Sequence, residues 1–355
     1  MEAKGLFNVA RKEFIDHLTS KKFILILALF LIISAYSMHV GMDYYNMRLE
    51  SYKEQISQIE EGELRYMPEK PSILIIFQRL HFVISLLGAI LAIAIGFDLI
   101  TREKESHSLK SLLSHPVYRD EIINGKALGG ILALVLAVGI AFLILFAMLL
   151  IFSIVPDLDE FWRIVLFGAV TVLCLLTYFS IALMASTVSK DSGRALMYAL
   201  IIVLALSFAM PMIGGMVAES VVGERPERPM SQSYVEINVS GEVVRQYGPM
   251  NKEEEEEWER YREELKAYND KKWAIRDAFD IFSPDGNYMV VSISLTDPYV
   301  TEVHSGSWGS SYTPGETTSI QESLEKVWKS IFALSILPVV FFAIAYIKFM
   351  RMDIR

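Results

Sequence analysis

A charged stretch at residues 98–126 carries the side chains best suited to recognise another protein. It reads DLITREKESHSLKSLLSHPVYRDEIINGK and lies between two long apolar runs. Its leucines recur at i, i+3 and i+4, which predicts a short helix with one apolar face that ends at Pro116. A simple connection between two membrane spans needs far fewer residues. The length and charge of this stretch therefore favour a docking surface that includes Glu103, Lys104, Glu105, Leu109, Leu112, Leu113, Pro116 and Arg119.

Catalytic chemistry is not indicated. The sequence contains no phosphate-binding loop of the form GxxxxGK[ST], and Asn124-Gly125-Lys126-Ala127 only resembles the end of one, without a preceding strand. Any ATP-driven function therefore requires hydrolysis by another chain. The single cysteine, Cys174, lies inside an apolar run, which excludes an intrachain disulfide and a cysteine metal cluster. We assign no catalytic residue, no metal ligand and no bound cofactor to this chain.

Three sequence patterns allow either an ordinary structural interpretation or a specific one, namely ligand binding or glycosylation. A cluster of soft donors near the predicted outer ends of two apolar runs could hold Cu(I), although methionine is also ordinary packing material, which we favour. The acidic run 253–257 could attract a cation, but we interpret it as a solvated helix start. Asn238-Val239-Ser240 forms a glycosylation sequon, a pattern that often arises by chance. The soft donors are Met38, His39, Met42, Met47, Met210, Met212 and Met216, with Asp43 beside them.

The chain has 355 residues, of which 53% are hydrophobic. Long uncharged apolar runs of about 20 residues predict membrane spans. Six runs qualify, at about 23–41, 73–97, 127–154, 164–187, 195–218 and 331–347. We therefore expect an all-α polytopic membrane protein with six transmembrane helices. The first run is longer than the apolar core of a signal peptide, so we expect it to be retained.

Polar and helix-breaking residues in two of these runs are candidates for a substrate path or gate. Arg79 lies in the outer third of the second run, where an unpaired charge costs about 3 kcal/mol. It either extends to the interface, which we favour, or lines the path or binds a headgroup phosphate. His81 is more simply a satisfied interior contact than a ligand. Pro211, Gly214 and Gly215 form either a hinge or a helix end.

Residues 4–22 are basic and amphipathic, as expected for a helix in the headgroup plane. The predicted inner pieces carry 15 Lys and Arg against 10 Asp and Glu, whereas the short outer loops carry 5 against 10. By the positive-inside rule, both termini and 98–126 are cytoplasmic.

Residues 219–330 then form an extracellular α+β insertion between the domain 1–218 and the final span and tail, 331–355. A hairpin is predicted at 233–247 and a helix at 251–279. For the segment after Ser283-Pro284, the β-branched run favours a strand, whereas Pro at a first helical position favours a helix.

Two sequence motifs resemble those of the type-2 ATP-binding-cassette (ABC) permeases, in particular the multicopper-enzyme-maturation group. The string RKEFID at 11–16 matches the start of that family, and its loop pattern EKERGTLELLLSYPVSRREILLGK matches 103–126, with His107 in place of a glycine and Tyr118 in place of a serine. The segment from Ser283 to Pro298 resembles the family's outer SP segment, which favours a helix there. The resemblance covers about 1–218 and 280–355.

The resemblance implies a division of labour. Residues Arg11, Lys12, Glu13 and Asp16 belong to an elbow helix, and the 98–126 stretch is a coupling helix that inserts into a separate ATPase subunit. Two permease copies, as a homodimer, work with two ATPase copies that bind ATP and Mg. The chain then serves as a plasma-membrane exporter of an amphipathic, lipid-like, peptide or drug-like cargo, with no nucleic-acid partner.

Two alternatives remain open. A membrane-anchored sensor or assembly scaffold would use the ectodomain to bind an extracellular partner. An ion-coupled transporter ranks last, because the mid-span positions hold almost no ionisable residues.

Overall fold

The computed structural model describes residues 3–60, 70–107, 118–229, 234–239, 242–247, 252–303, 311–312 and 317–352. The chain forms two compact units. Unit 1 comprises Met1–Met210 and Ile281–Arg355, and unit 2 comprises Pro211–Asp280.

Six helices among the described residues are long and apolar enough to cross a membrane, which confirms the predicted number of spans. An N-terminal helix, Ala3–Thr19, precedes them. The six helices are called span 1 to span 6 in chain order. Their bounds are Lys21–Ile59, Ile75–Glu105, Arg119–Ile151, Leu158–Val188, Ser192–Val222 and Trp328–Met350.

Span 1 is part of a helix that extends beyond its apolar run. The helix begins at Lys21 and ends at Glu60, so the predicted loop between the apolar runs 23–41 and 73–97 is partly helical. The physical reason is that residues 47–60 contain no proline or glycine and include three Glu, two Gln, one Lys and one Arg, all of which favour helix.

Span 2 is built from short pieces rather than one regular helix. Its α-helical segments are Ile75–Gln78, Leu80–Val83, Ala89–Gly96 and Thr101–Glu105, and a π-helical turn occupies Ile84–Gly88. Such wide turns inside helices are frequent at functional sites. The turn lies where Ser85 donates a hydrogen bond to the carboxylate of Asp285, on a helix far along the chain.

Span 5 contains a second π-helical turn, Ala205–Ala209, between α-helices Ser192–Leu204 and Met210–Val222. Pro211 lies two residues after the end of this turn. Because proline cannot donate an N–H and its ring clashes with the carbonyl four residues earlier, a regular helix would be strained there, and the wider turn accommodates it. The alternative that the helix ends near Pro211 is wrong, since the chain is helical to Val222. A hinge at this place stays a prediction.

The N-terminal helix packs along the first turns of span 3. An added Cβ at Gly125 would lie 2.8 Å from the carbonyl oxygen of Leu6, and one at Gly129 would lie 2.8 Å from that of Ala10. The two glycines are four residues apart and therefore share one face of span 3. This small-residue face lets the two backbones approach closely, as in other membrane helix pairs.

A buried helix, Pro284–Thr296, completes unit 1. Ser283 caps it by accepting a hydrogen bond from the N–H of Gly286, and Pro284 takes the first position. It packs against spans 4 and 6. The segment after Ser283 is therefore helical, as the resemblance indicates, and not a strand. The sequence-based boundary at 330 would place this helix in the insertion, whereas it groups with the spans because most of its side chains are buried among them.

Two short strands and a short helix lie between this helix and span 6. Strand β3, Val300–Glu302, pairs antiparallel with β4, Ser311–Tyr312, through Val300 and Tyr312. The helix Ile320–Lys326 begins with a capping box between Ser319 and Glu322.

Unit 2 contains the end of span 5, a hairpin and a long helix. Strands β1, Tyr234–Val239, and β2, Glu242–Tyr247, pair antiparallel with Tyr234 opposite Tyr247, at the position of the predicted hairpin. The predicted helix at 251–279 is confirmed as Lys252–Asp280, with three glutamates in its first turn. Glu253 and Glu255 are exposed, which fits a solvated, dipole-stabilised start. In the described part of unit 2, Arg228 lies over the ring of Trp258 at 5.2 Å.

Candidate functional site

The ends of spans 2, 3, 5 and 6, at Glu105, Arg119, Ser192 and Met350, form what we call the charged end of unit 1. At its centre Lys126 is 2% exposed. Its Nζ lies 2.5 Å from Oε1 of Glu13 and 2.7 Å from Oε1 of Glu103. These three residues belong to the N-terminal helix, span 2 and span 3. A buried lysine needs such partners because an unpaired charge in this environment is very costly. The triad therefore fixes three elements together.

Lys104 and Glu105 hold the connection between spans 4 and 5. Lys104 donates hydrogen bonds to the carbonyl oxygens of Ser186, Thr187 and Ser189, at 3.2, 2.8 and 2.7 Å. These carbonyls end the helix of span 4, where a cation is favoured. Glu105 accepts hydrogen bonds from the N–H and the hydroxyl of Ser192 at the start of span 5, at 2.6 and 3.0 Å.

Arg119 makes the corresponding contact with span 6. Its Nη1 donates to the carbonyl oxygens of Met350 and Met352, at 3.2 and 2.9 Å. Arg119 is the first residue of span 3, so this contact joins the beginning of one span to the end of another.

The residues predicted to couple to an ATPase thus fall into two sets. Those described by the structure (Glu103, Lys104, Glu105 and Arg119) all contact other parts of unit 1. The helix with the apolar face lies outside the described residues, together with Leu109, Leu112, Leu113 and Pro116. Sequence reasoning treated both sets as one docking surface, and only the partners seen in the tertiary structure separate them.

A polar cavity of 340 Å³ lies beside the triad, lined by residues of the N-terminal helix and of spans 1, 2 and 3. Lys22 and Asp98 form a second ion pair there at 2.9 Å. Burial lowers the pKa of His17, which lines the same cavity. Of the predicted elbow residues, Arg11, Lys12 and Asp16 are exposed, whereas Glu13 faces Lys126.

A larger pocket of 790 Å³, called the apolar pocket, lies between span 1, the first part of span 2 and the helix Pro284–Thr296. Its lining is mainly aliphatic and aromatic. Arg79 and His81, both predicted from the sequence as path residues, line it together. The apolar residues are Ile33, Tyr36, Val40, Tyr44, Ile75, Phe82, Val83, Met289, Ile293 and Val303.

Arg79 and His81 differ in their surroundings. Arg79 is exposed, and its guanidinium lies 5.6 Å from the ring centroid of Tyr44. His81 is 5% exposed and stacks on Tyr288 with ring centroids 5.1 Å apart. Its Nδ1 is buried and has no hydrogen-bond partner among the described residues. The sequence-based expectation of a satisfied interior histidine therefore holds for the ring and not for this nitrogen.

The sequence comparisons place this architecture in a family. The family description "ABC-2 family transporter protein" matches residues 7–354. The chain belongs to the ABC-2 transporter family. It is a multi-pass membrane component of an ABC transporter, and the resemblance stated from the sequence is confirmed at this level. No curated protein matches the chain.

Sequence reasoning did not single out Lys126 as a site residue, and it also missed the buried Arg163 of this ABC-2 transporter chain. Arg163, in span 4, is 1% exposed. Its Nε lies 2.7 Å from Asp159, and its Nη1 and Nη2 donate to the hydroxyl of Ser323 and the carbonyl oxygen of Thr318. The only local signal was the Asp159–Arg163 spacing of four residues on one helix face.

The methionines of the possible copper cluster are divided by the fold of the ABC-2 transporter chain. Met38 and Met42 are fully buried in the core, one helical turn apart, whereas Met47 is 55% exposed. His39 lies 3.9 Å from Asp43 on the same helix. The buried pair fills space between helices, which is the ordinary role of methionine.

Proposed function

We propose that this chain is the permease subunit of an ATP-driven ABC exporter and moves an amphipathic cargo outward. The observation that carries the proposal is the family match over residues 7–354, together with the six candidate spans. ATP and Mg bind to a separate ATPase subunit, because the sequence contains no phosphate-binding loop.

The contacts at the charged end support a route from that ATPase to the spans. The predicted coupling helix occupies the stretch between His107 and Tyr118. Immediately before it, Glu103 contacts Lys126 of span 3, which in turn holds Glu13 of the N-terminal helix, and Lys104 and Glu105 contact the span 4–5 connection. Immediately after it, Arg119 contacts the end of span 6. A displacement of this stretch would therefore act on five spans and the N-terminal helix at once.

The proposed topology follows the distribution of basic residues. Both termini and the 98–126 stretch are cytoplasmic, residues 219–330 are extracellular, and the membrane is the plasma membrane. The N-terminal helix is the elbow helix: Phe7 and Ile15 are 62% and 45% exposed beside exposed basic residues, which suits a position at the headgroup level.

The working unit is proposed to contain two permease copies and two ATPase copies. Span 5 offers a surface for the second permease copy, because only 6% of its most apolar window is buried within one chain. Lipid or a second copy must cover that surface.

Affinity purification of the full-length chain from native membranes tests the proposal. We expect an ABC ATPase to co-purify and to hydrolyse ATP faster with the permease than without it. The Leu112→Asp variant, in the predicted coupling helix, should reduce co-purification about tenfold without changing the unfolding temperature. Glu103 and Arg119 are less suitable positions, because their loss would also disturb the packing of unit 1.

Met47→Asp is the matched control, since it introduces the same charge at an exposed apolar position elsewhere in the chain. It should retain the ATPase. An active permease preparation without any nucleotide-hydrolysing protein would contradict the proposal.

A sensor or assembly scaffold is the second candidate, and the separate compactness of unit 2 favours it. It predicts an extracellular protein partner and no stimulation of ATP hydrolysis in the same purification.

A further inference from the structure

The apolar pocket has the size and composition of a site for one small amphiphile. Its volume of 790 Å³ lies within the range of about 300–1,000 Å³ that is usual for small-molecule sites. Its walls come from span 1, span 2 and the helix Pro284–Thr296, all within unit 1. Tyr36, Val40 and Phe82 of the spans line the pocket together with Met289 and Ile293 of that helix, so an apolar chain would contact apolar side chains from all three elements.

Two charged residues, Asp297 and Arg79, line the pocket, and they differ in their bonding partners. The carboxylate of Asp297 accepts hydrogen bonds from Nε2 of Gln78 at 3.3 Å and from the N–H of Tyr299 at 3.2 Å. Arg79 forms no ion pair with any carboxylate in the described part of the chain. Its five N–H donors suit a carboxylate or a phosphate, which they bind in a forked geometry.

His81 is an independent observation that points to a ligand site. Buried side-chain nitrogens are normally hydrogen-bonded, and each exception requires an explanation. His81 lines the pocket, is 5% exposed, and its Nδ1 has no partner among the described residues. A hydroxyl or ester oxygen just below the head group of a bound amphiphile would satisfy it.

We propose that the apolar pocket binds an amphiphile with one anionic head group, with Arg79 contacting the carboxylate or phosphate, His81 hydrogen-bonding the polar neck, and the apolar walls holding an acyl or similar chain. The inference rests on the proposed transport function only in treating this amphiphile as cargo. Binding itself requires no ATPase. A free fatty acid and an anionic phospholipid share the required chemistry.

Photo-crosslinking of the purified full-length chain in nanodiscs of neutral lipid tests the proposal. Three diazirine probes are compared: palmitic acid, phosphatidylglycerol and the uncharged hexadecanol. We expect an acidic probe to label peptides from residues 33–44, 75–83 and 289–303 about tenfold more strongly than hexadecanol does. Preferential labelling by palmitic acid or by phosphatidylglycerol identifies the source of the ligand.

The variants separate the head-group contact from general membrane binding. Arg79→Gln should lower acidic-probe labelling about tenfold and leave hexadecanol labelling unchanged. Arg48→Gln is the matched control, because Arg48 lies over the same Tyr44 ring, at 5.8 Å, but does not line the pocket. His81→Phe retains a ring to stack on Tyr288 and should lower labelling by both acidic probes about threefold or more.

Equal labelling by acidic and uncharged probes, or equal effects of Arg79→Gln and Arg48→Gln, would overturn the proposal. Failure here, in a chain that still stimulates its ATPase, leaves the proposed function standing. Conversely, selective labelling in a chain that recruits no ATPase supports the pocket and contradicts the exporter.

Discussion

At the charged end, Lys126 is in contact with two carboxylates, and Lys104 with three carbonyl oxygens. In the apolar pocket, Arg79 lies over the ring of Tyr44 and has no ion pair among the described residues, and Nδ1 of His81 has no described hydrogen-bond partner. Both regions contain ionisable side chains in or beside membrane spans, where such residues are expensive. The difference teaches that the partners of a charge, rather than its presence, distinguish a structural contact from a binding site.

The Lys126→Met variant tests the structural half of this comparison and should have the largest effect. It leaves Glu13 and Glu103 buried without their cation, which costs about 3–5 kcal/mol when a buried ion pair is broken. We expect a correspondingly lower unfolding midpoint of the purified protein, measured by tryptophan fluorescence.

Lys12→Met is the control for that experiment, because Lys12 is exposed and its removal should change stability little. The triple variant Glu13→Gln, Glu103→Gln and Lys126→Met should recover much of the loss. A Lys126→Met protein as stable as the wild type would show that the triad does not fix the charged end.

Alanine substitutions at two glycines of span 3, Gly129 and Gly139, should give the next largest effect. They test how tightly the N-terminal helix is held against span 3. In Gly129→Ala the new methyl group would lie 2.7 Å from Cβ of Glu13 and 2.8 Å from the carbonyl oxygen of Ala10. Overpacking of this kind costs about 1–3 kcal/mol. In Gly139→Ala the methyl group meets no described atom within 4 Å, so the better helix propensity of alanine should stabilise the protein slightly.

Thermal unfolding of the two glycine variants in the same detergent provides the measurement. Opposite signs are expected. If both variants had the same midpoint, the close approach of the N-terminal helix would be refuted.

The pH dependence of stability tests His17, a half-buried group at the charged end. Burial lowers its pKa below 6.5; Glu13 and Asp98 oppose this shift, whereas Lys22 and Lys126 add to it. The folded protein therefore prefers the neutral imidazole, and the unfolded chain binds more protons. The contribution of neutral His17 to the free energy of unfolding is present above pH 6.5 and is lost as the pH falls from there towards the pKa of the folded protein.

We expect the unfolding midpoint of wild-type protein to decrease between about pH 7.5 and about pH 5.5, and His17→Asn to reduce that slope. His107→Asn serves as the control, since His107 is exposed and asparagine tolerates its backbone conformation. An unchanged slope in His17→Asn would assign the pH dependence to other groups.

Arg79→Met should have the smallest effect on stability and thereby sharpens the contrast with Lys126→Met. Because Arg79 has no ion pair in the described chain, its loss should change the free energy of unfolding by less than about 0.5 kcal/mol. The same fluorescence assay measures it. A loss comparable to that of Lys126→Met would mean that Arg79 is structural.

At residue 107 the family pattern agrees with the backbone conformation. The family pattern has glycine where this chain has His107, and the structure gives His107 a φ of 54°. That left-handed conformation is readily adopted by glycine and only uncommonly by other residues. The glycine position of the family pattern thus coincides with a left-handed residue just after the helix Thr101–Glu105, a turn that was not predicted from the sequence.

The sequence by itself determined the elements whose signals are local. Apolar runs of about 20 residues predicted six spans, alternating residues about Ser240-Gly241 predicted the hairpin, and the acidic start after Asn251 predicted the helix Lys252–Asp280. These predictions succeeded because span length, turn residues and capping act within a few positions of one another.

Only the tertiary structure decided what the charged residues do. Lys126 meets Glu13 across 113 positions of sequence, and Arg119 meets Met352 across 233. The same holds for the apolar pocket, whose walls come from residues 33–83 and 289–303. No local sequence pattern predicts these contacts, because the partners are far apart in sequence and are brought together only by the folded structure.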